Sequence, residues 1–190
     1  PSPAEFVRSG NTEQFNRRFA SFRHRFTSGA ALSALLDGMR HVLRKHGSLE
    51  SCFLKGLSDR HTDVMPALQT FVDRLREEAG QSLSHLLPDP SKQSACKRLH
   101  LFLRWMVRTD DVDPGGWAQV PPAKLLVPLD THMHRFAVQT VFTQQTGTDI
   151  RTALEVTSGF RRHNAHDPVK YDFAITRFGI HGRDPSASDY

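Results

Sequence analysis

The apolar residues of this chain recur at spacings of three and four, cut at intervals by glycine and proline, and no stretch shows the sustained alternation of a half-buried strand. That pattern commits the chain to helices and predicts an all-α fold. The helical segments expected from it are Thr12 to Arg25, Ala30 to Lys45, Leu49 to Leu57, Asp63 to Glu78, Gln93 to Arg108, Thr131 to Gln144, Asp149 to Phe160 and Pro168 to Ile180, with a shorter one from Ser82 to Leu87. Gly47 and Gly80 stand where helices stop, and Pro66 sits in a first turn where its missing N–H costs little. The stretch Thr109 to Pro128 holds too many breakers for a long helix and is too long for a simple connector, which marks it as a loop able to carry function. The expectation is one helical domain over residues 1–181 with two lobes, a break near 88–92 at Pro88-Asp-Pro-Ser91, and a loose tail at 182–190.

With 190 residues, 38% of them hydrophobic, the chain can bury roughly 70% of the surface its unfolded form exposes, so no metal or disulfide is required to make a core. Two cysteines, Cys52 and Cys96, cannot hold a four-thiolate iron–sulfur cluster or a zinc ribbon and read as reduced thiols; no cofactor is expected. Twenty-five Lys and Arg against twenty Asp and Glu give a net charge of +5, a lean toward a polyanionic partner. No apolar run reaches membrane-spanning length, and Pro1 to Gly10 lacks a signal-peptide core, so the expected location is the cytoplasm, with no membrane partner.

Three stretches could carry chemistry: Lys97 to Arg108 (KRLHLFLRWMVR), Val127 to Arg135 (VPLDTHMHR) and Asp167 to Ile180 (DPVKYDFAITRFGI). Asp130 directly precedes a helix and is a natural N-cap, worth about 1 kcal/mol. Asp167 followed by Pro168 carries the same signature. Lys97 lies on the most hydrophobic of the expected helices, in the company of Trp105. A partly desolvated amine there would have a lowered pKa and become nucleophilic, so Lys97 with Asp130 forms a possible Schiff-base pair. A metal site built on Asp130-x-His132-x-His134 with His163, His166 and Asp167 is a rival reading. Residues two apart on a helix point about 200° from each other, so His132 and His134 cannot ligate one ion, and no metal is expected.

These stretches resemble a bacterial family known as domain of unknown function 2400, whose members carry KRL-x-x-FLRWMVR, PLDTH and DPVKYDFA-x-x-x-x-GI in this order; here they are Lys97 to Arg108, Pro128 to His132 and Asp167 to Ile180. That family in turn resembles the helix-hairpin-helix DNA glycosylases, in which a catalytic aspartate stands at a helix N-terminus and, in bifunctional members, an upstream lysine links to the sugar. The separation of Lys97 from Asp130 is similar to that in the archaeal 8-oxoguanine branch. The resemblance implies a two-lobed all-α glycosylase-type fold and a monomeric DNA-repair protein, nucleoid-associated at most. Such a protein cleaves the N-glycosidic bond of a damaged base, an oxidised purine among the candidates, through Lys97 and Asp130, with AP-lyase activity following from the lysine. It further implies a base pocket, for which Leu101, Trp105, Trp117 and His132 are the candidates, and phosphate contacts from exposed cations, for which Arg104, Arg108, Lys124, Arg135 and Lys170 are the choices. The sequence departs from the pattern in two places. The phosphate-gripping Leu-Pro-Gly-x-Gly turn is missing, with Val112 to Trp117 and Val120 to Lys124 in its region, and Leu101 replaces a base-stacking aromatic. The alternative reading is a non-catalytic, basic helical module that binds nucleic acid or protein through its surface.

Overall fold

A computed structural model describes residues 2–81 and 83–180, and the tail expected at 182–190 lies outside the described residues. The fold is helical, with one two-stranded hairpin among the described residues. The chain forms two compact units, Pro1–His61 with Met65–Asp89, and Thr62–Val64 with Pro90–Tyr190. The main boundary therefore falls within the Pro88 to Ser91 turn, and a three-residue segment before the last long helix of the first unit is exchanged into the second.

In the first unit, α1 (Pro3–Ser9) and α2 (Thr12–Arg18) each begin with a reciprocal capping box, Ser2 with Glu5 and Asn11 with Gln14. The helix expected at Thr12 to Arg25 thus stops seven residues earlier, and α1 is an addition to the sequence reading. The reason is aromatic packing. Phe19 does not extend a helical stripe but meets Phe6 edge-on at 6.3 Å, and Phe22 meets Phe19 at 6.2 Å. The chain then reverses through a hairpin, β1 (Arg23–His24) against β2 (Thr27–Ser28), before Ser28 caps α3 (Gly29–His46). Gly47, at φ 78°, ends α3, and Ser48 caps α4 (Leu49–Leu54). The longest packing seam joins α3 to α5 (Met65–Ala79). It is close at Gly38, where an added Cβ would lie 2.9 Å from the Leu75 carbonyl. Phe53 and Phe71 fill the core beneath it, edge to face at 5.9 Å. Of the short helix expected at Ser82 to Leu87, residues 83–87 form turns instead, and Ser82 lies outside the described residues.

In the second unit, α6 (Lys97–Val107) starts abruptly, because Cys96 takes the left-handed conformation (φ 44°) and supplies no side-chain cap. Its buried stripe is Leu99, Leu103 and Val107. The breaker-rich stretch does not stay at the surface throughout. A 3-10 turn at Pro122–Lys124 leads into a run from Leu125 to Leu129 that is buried, tied to α8 (Ile150–Arg161) where the Val127 amide donates to the Thr157 hydroxyl at 3.0 Å. α7 (Thr131–Gln139) packs on α9 (Asp172–Ile180). The helix expected from Pro168 therefore begins four residues later, after a turn, and Asp167 does not cap it. No helix among the described residues is long and apolar enough to cross a membrane.

Candidate functional site

Asp130 is the N-cap of α7, and the two oxygens of its carboxylate have separate partners. Oδ1 accepts from the Met133 amide at 2.8 Å, fixing the side chain to the helix start, while Oδ2 accepts from Lys97 Nζ at 3.1 Å. Lys97 is the first residue of α6, a place where the helix dipole disfavours a cation and the Asp130 charge offsets that cost. Two residues 33 positions apart thus meet through the start points of two helices. The Lys97 side chain is 46% exposed, so the desolvated amine expected from the sequence is replaced by one that is ion-paired and open to solvent.

Both groups line a pocket of about 560 Å³. Along α6, Lys97, Leu101 and Trp105 stand one helical turn apart and form one wall; Pro128 and Asp130 form another, and Asp172 and Phe173 of α9 a third. Trp105 and Phe173 are 44% and 41% exposed, two large rings with free surface at one cavity. Of the four residues expected to make the base pocket, Leu101 and Trp105 line this cavity. Trp117 does not: it is buried, edge-on to Phe102 at 5.5 Å, and its amide donates to the Met106 carbonyl. His132 is absent from the pocket wall as well, because its place on α7 turns it away from the face that Asp130 presents, and its Nδ1 is buried.

The expected phosphate contacts need a larger correction. Arg104 and Arg108 are 3% and 8% exposed, and both guanidiniums are spent inside the unit. Arg104 donates from Nε and Nη2 to Asp113 at 2.8–3.2 Å and from Nη1 to Asp172. Arg108 donates from Nε to Asp167 at 2.9 Å, from Nη2 to Asp110 at 2.8 Å and from Nη1 to Asp113. Burial favours such fork-to-carboxylate pairing, since an unpaired guanidinium there would carry a large desolvation cost. Lys124 is half-buried in the turn before Leu125, whereas Arg135 and Lys170 are exposed.

Asp113 and Asp172 are the members of this arrangement that the sequence reading did not single out. The signal was present: two arginines four apart on the last turns of an apolar helix, followed by three aspartates at 110, 111 and 113. Two guanidiniums serve four carboxylates here, and burial is strong. Asp172 is consequently pushed up to about 6, by burial first, with Arg104 opposing and the Asp130 charge adding to the rise. One helical turn before Arg104, His100 is fully buried with neither ring nitrogen hydrogen-bonded within the protein, and burial pulls it down to about 4. Among the described residues no group of three His, Cys, Asp or Glu side chains is placed to hold a metal ion, and His134 is engaged with the Gln145 carbonyl at 2.8 Å.

No curated protein and no solved structure matches this chain. The model of one protein family, described as protein of unknown function DUF2400, matches residues 1–181, which is nearly the whole chain. By that match the chain belongs to the DUF2400 family.

Proposed function

We propose that the second unit is the catalytic body of a DNA base-excision enzyme of the helix-hairpin-helix glycosylase type, with Lys97 as nucleophile and Asp130 as its acid–base partner. The observation that carries this reading is the 3.1 Å contact between the Lys97 amine and the Asp130 carboxylate at the wall of a pocket of about 560 Å³ bordered by two exposed rings. A flipped base needs such a cavity, and Trp105 offers it a π-face in place of the aromatic that Leu101 replaces, while the Phe173 ring lies beneath the Arg104 and Arg177 guanidiniums at 6.0 and 5.6 Å.

The chemistry follows from the pair. Lys97 Nζ loses a proton toward Asp130, and its lone pair forms a bond to C1′ of the deoxyribose. The C1′–N bond to the damaged base breaks, its electron pair leaving with the base, which is then protonated. Opening of the sugar ring gives a protonated Schiff base on Lys97. Hydrolysis of that imine releases an abasic site and the free lysine, while loss of a C2′ proton expels the 3′-phosphate and nicks the strand. Asp130, held by the Met133 amide, also stands where positive charge develops on the sugar. Exposed Arg135 and Lys170 remain as candidates for phosphate contact.

Borohydride trapping on duplex oligonucleotides carrying 8-oxoguanine, other oxidised bases or an abasic site tests this. A covalent adduct is expected, absent in Lys97→Ala, and Asp130→Asn should slow adduct formation by about 100-fold or more without matching loss of DNA binding. Salt-sensitive DNA binding without any adduct would instead establish the non-catalytic module.

A further inference from the structure

Among the described residues, the sharpest exposed feature belongs to the first unit, which holds none of the residues assigned above. The β1–β2 hairpin pairs Arg23 with Ser28 and His24 with Thr27, which leaves Arg25 and Phe26 as a two-residue tip. Arg25 has φ 53°, at the position that glycine occupies in type II′ turns, and a non-glycine residue in that region is strained. Phe26 beside it is 91% exposed, the most exposed large apolar side chain among the described residues. The base of the hairpin, by contrast, is anchored, through the edge-on rings of Phe22, Phe19 and Phe6.

The charge around the tip has one sign. Residues 14–36 contain four arginines (Arg17, Arg18, Arg23 and Arg25) and His24, and no aspartate or glutamate. Among the described residues, Arg23 and Arg25 have no ion-pair partner, and Arg17 bonds to Glu13 on the outer face of α2. A chain that tolerates a strained arginine and a bare phenylalanine at one tip has sacrificed local stability for something outside the fold. One ring is too little apolar surface to anchor a protein in a bilayer, whereas one ring is what enters a single base step, and the arginines that precede it at the tip match the phosphates next to such a step.

We propose that this hairpin is a DNA wedge: Phe26 inserts at a base step of duplex DNA while Arg23 and Arg25 bind the adjoining phosphates. The proposal takes its polymer from the reading given for the second unit but rests on the hairpin's own geometry. Unstacking a step is costly, and stacking on the inserted ring with counterion release at the arginines offsets that cost.

The test uses the full chain and a duplex with 2-aminopurine at the central step. Binding should raise the 2-aminopurine fluorescence as the base unstacks. Phe26→Ala should abolish that rise and weaken binding by about tenfold, the scale of one lost base–aromatic stack, and Phe26→Trp should restore both. Because Phe26 is almost wholly solvated, the alanine variant keeps the fold, which circular dichroism checks. Arg25→Gly should retain the unstacking signal, lose affinity mainly at low salt, and raise the thermal midpoint by relieving the turn. Lys97→Ala should leave the rise intact, so failure of excision and failure of the wedge are read separately. The proposal is overturned by a Phe26→Ala variant that unstacks the duplex as well as the parent chain. Phe26-dependent capture by phosphatidylglycerol vesicles without any duplex signal overturns it equally.

Discussion

Two buried groups of the second unit respond to acid in opposite directions. His100 lies near 4 in the folded chain against 6.5 in the unfolded one, so between those values the unfolded state binds more protons and stability falls as pH drops. Asp172 lies near 6 against 3.8, so over that window the folded state binds more protons and stability rises as pH drops. Each shift amounts to roughly 3 kcal/mol at most, and across pH 6.5 to 4.5 they largely cancel. Urea unfolding at the two ends of that range should therefore show little change for the parent chain. Asp172→Asn should lose stability toward pH 4.5, and His100→Phe should gain it; parallel slopes for all three would contradict the assignment. The N-cap role of Asp130 was legible in the sequence, because a carboxylate before a helical stripe is a local signal. Its second role, accepting from Lys97, needed only the order of the motifs to be suspected, but the contact itself is made by folding.

At the scale of elements, the charged seam between α6, the 110–113 turn, Asp167 and α9 is what sets the pocket wall, since Arg104 joins Asp113 to Asp172. Asp113 is fully buried and accepts from both arginines. Asp113→Ala should cost about 3–5 kcal/mol, because two guanidiniums are then left short of a partner inside the protein, a loss read directly by denaturant titration. Conservative Asp113→Asn keeps the shape and should still lose much of that amount. A change under 1 kcal/mol in both variants would mean that the seam does not hold α6 in place. The turn also depends on Gly115, at φ 72°, where an added Cβ would lie 2.0 Å from the Thr109 hydroxyl. Helical periodicity located α6 and its apolar stripe well. It misjudged the starts of α6 and α9 and the end of α2, since a left-handed Cys96, a turn after Pro168 and an aromatic cluster at Phe19 are tertiary or backbone choices that the three-and-four spacing does not encode.

The two units each carry one buried thiol, Cys52 in the first and Cys96 in the second. Burial pushes the Cys52 thiol up, which makes it less nucleophilic still. Neither cysteine should react with a thiol reagent in native buffer, and reductant should leave the thermal midpoint unchanged. Pulsed labelling in urea, resolved by mass spectrometry, then reports each unit separately. In Asp113→Ala, labelling of Cys96 should begin at lower urea while that of Cys52 stays where it was; equal shifts for both would show a single cooperative body.

The amino-acid sequence by itself determined that this chain is helical, that glycine ends two of its helices, and that Asp130 caps another. These are decisions of the backbone and its nearest neighbours, and such interactions are written in spacing along the chain. Only the tertiary structure decided that Arg104 and Arg108 face inward to aspartates, that Trp117 belongs to the core, and that Phe26 stands bare beside Arg25. Which charge meets which, and which ring keeps its solvent, depends on segments brought together from far apart, and a guanidinium reads the same in sequence whether it will touch water or a buried carboxylate.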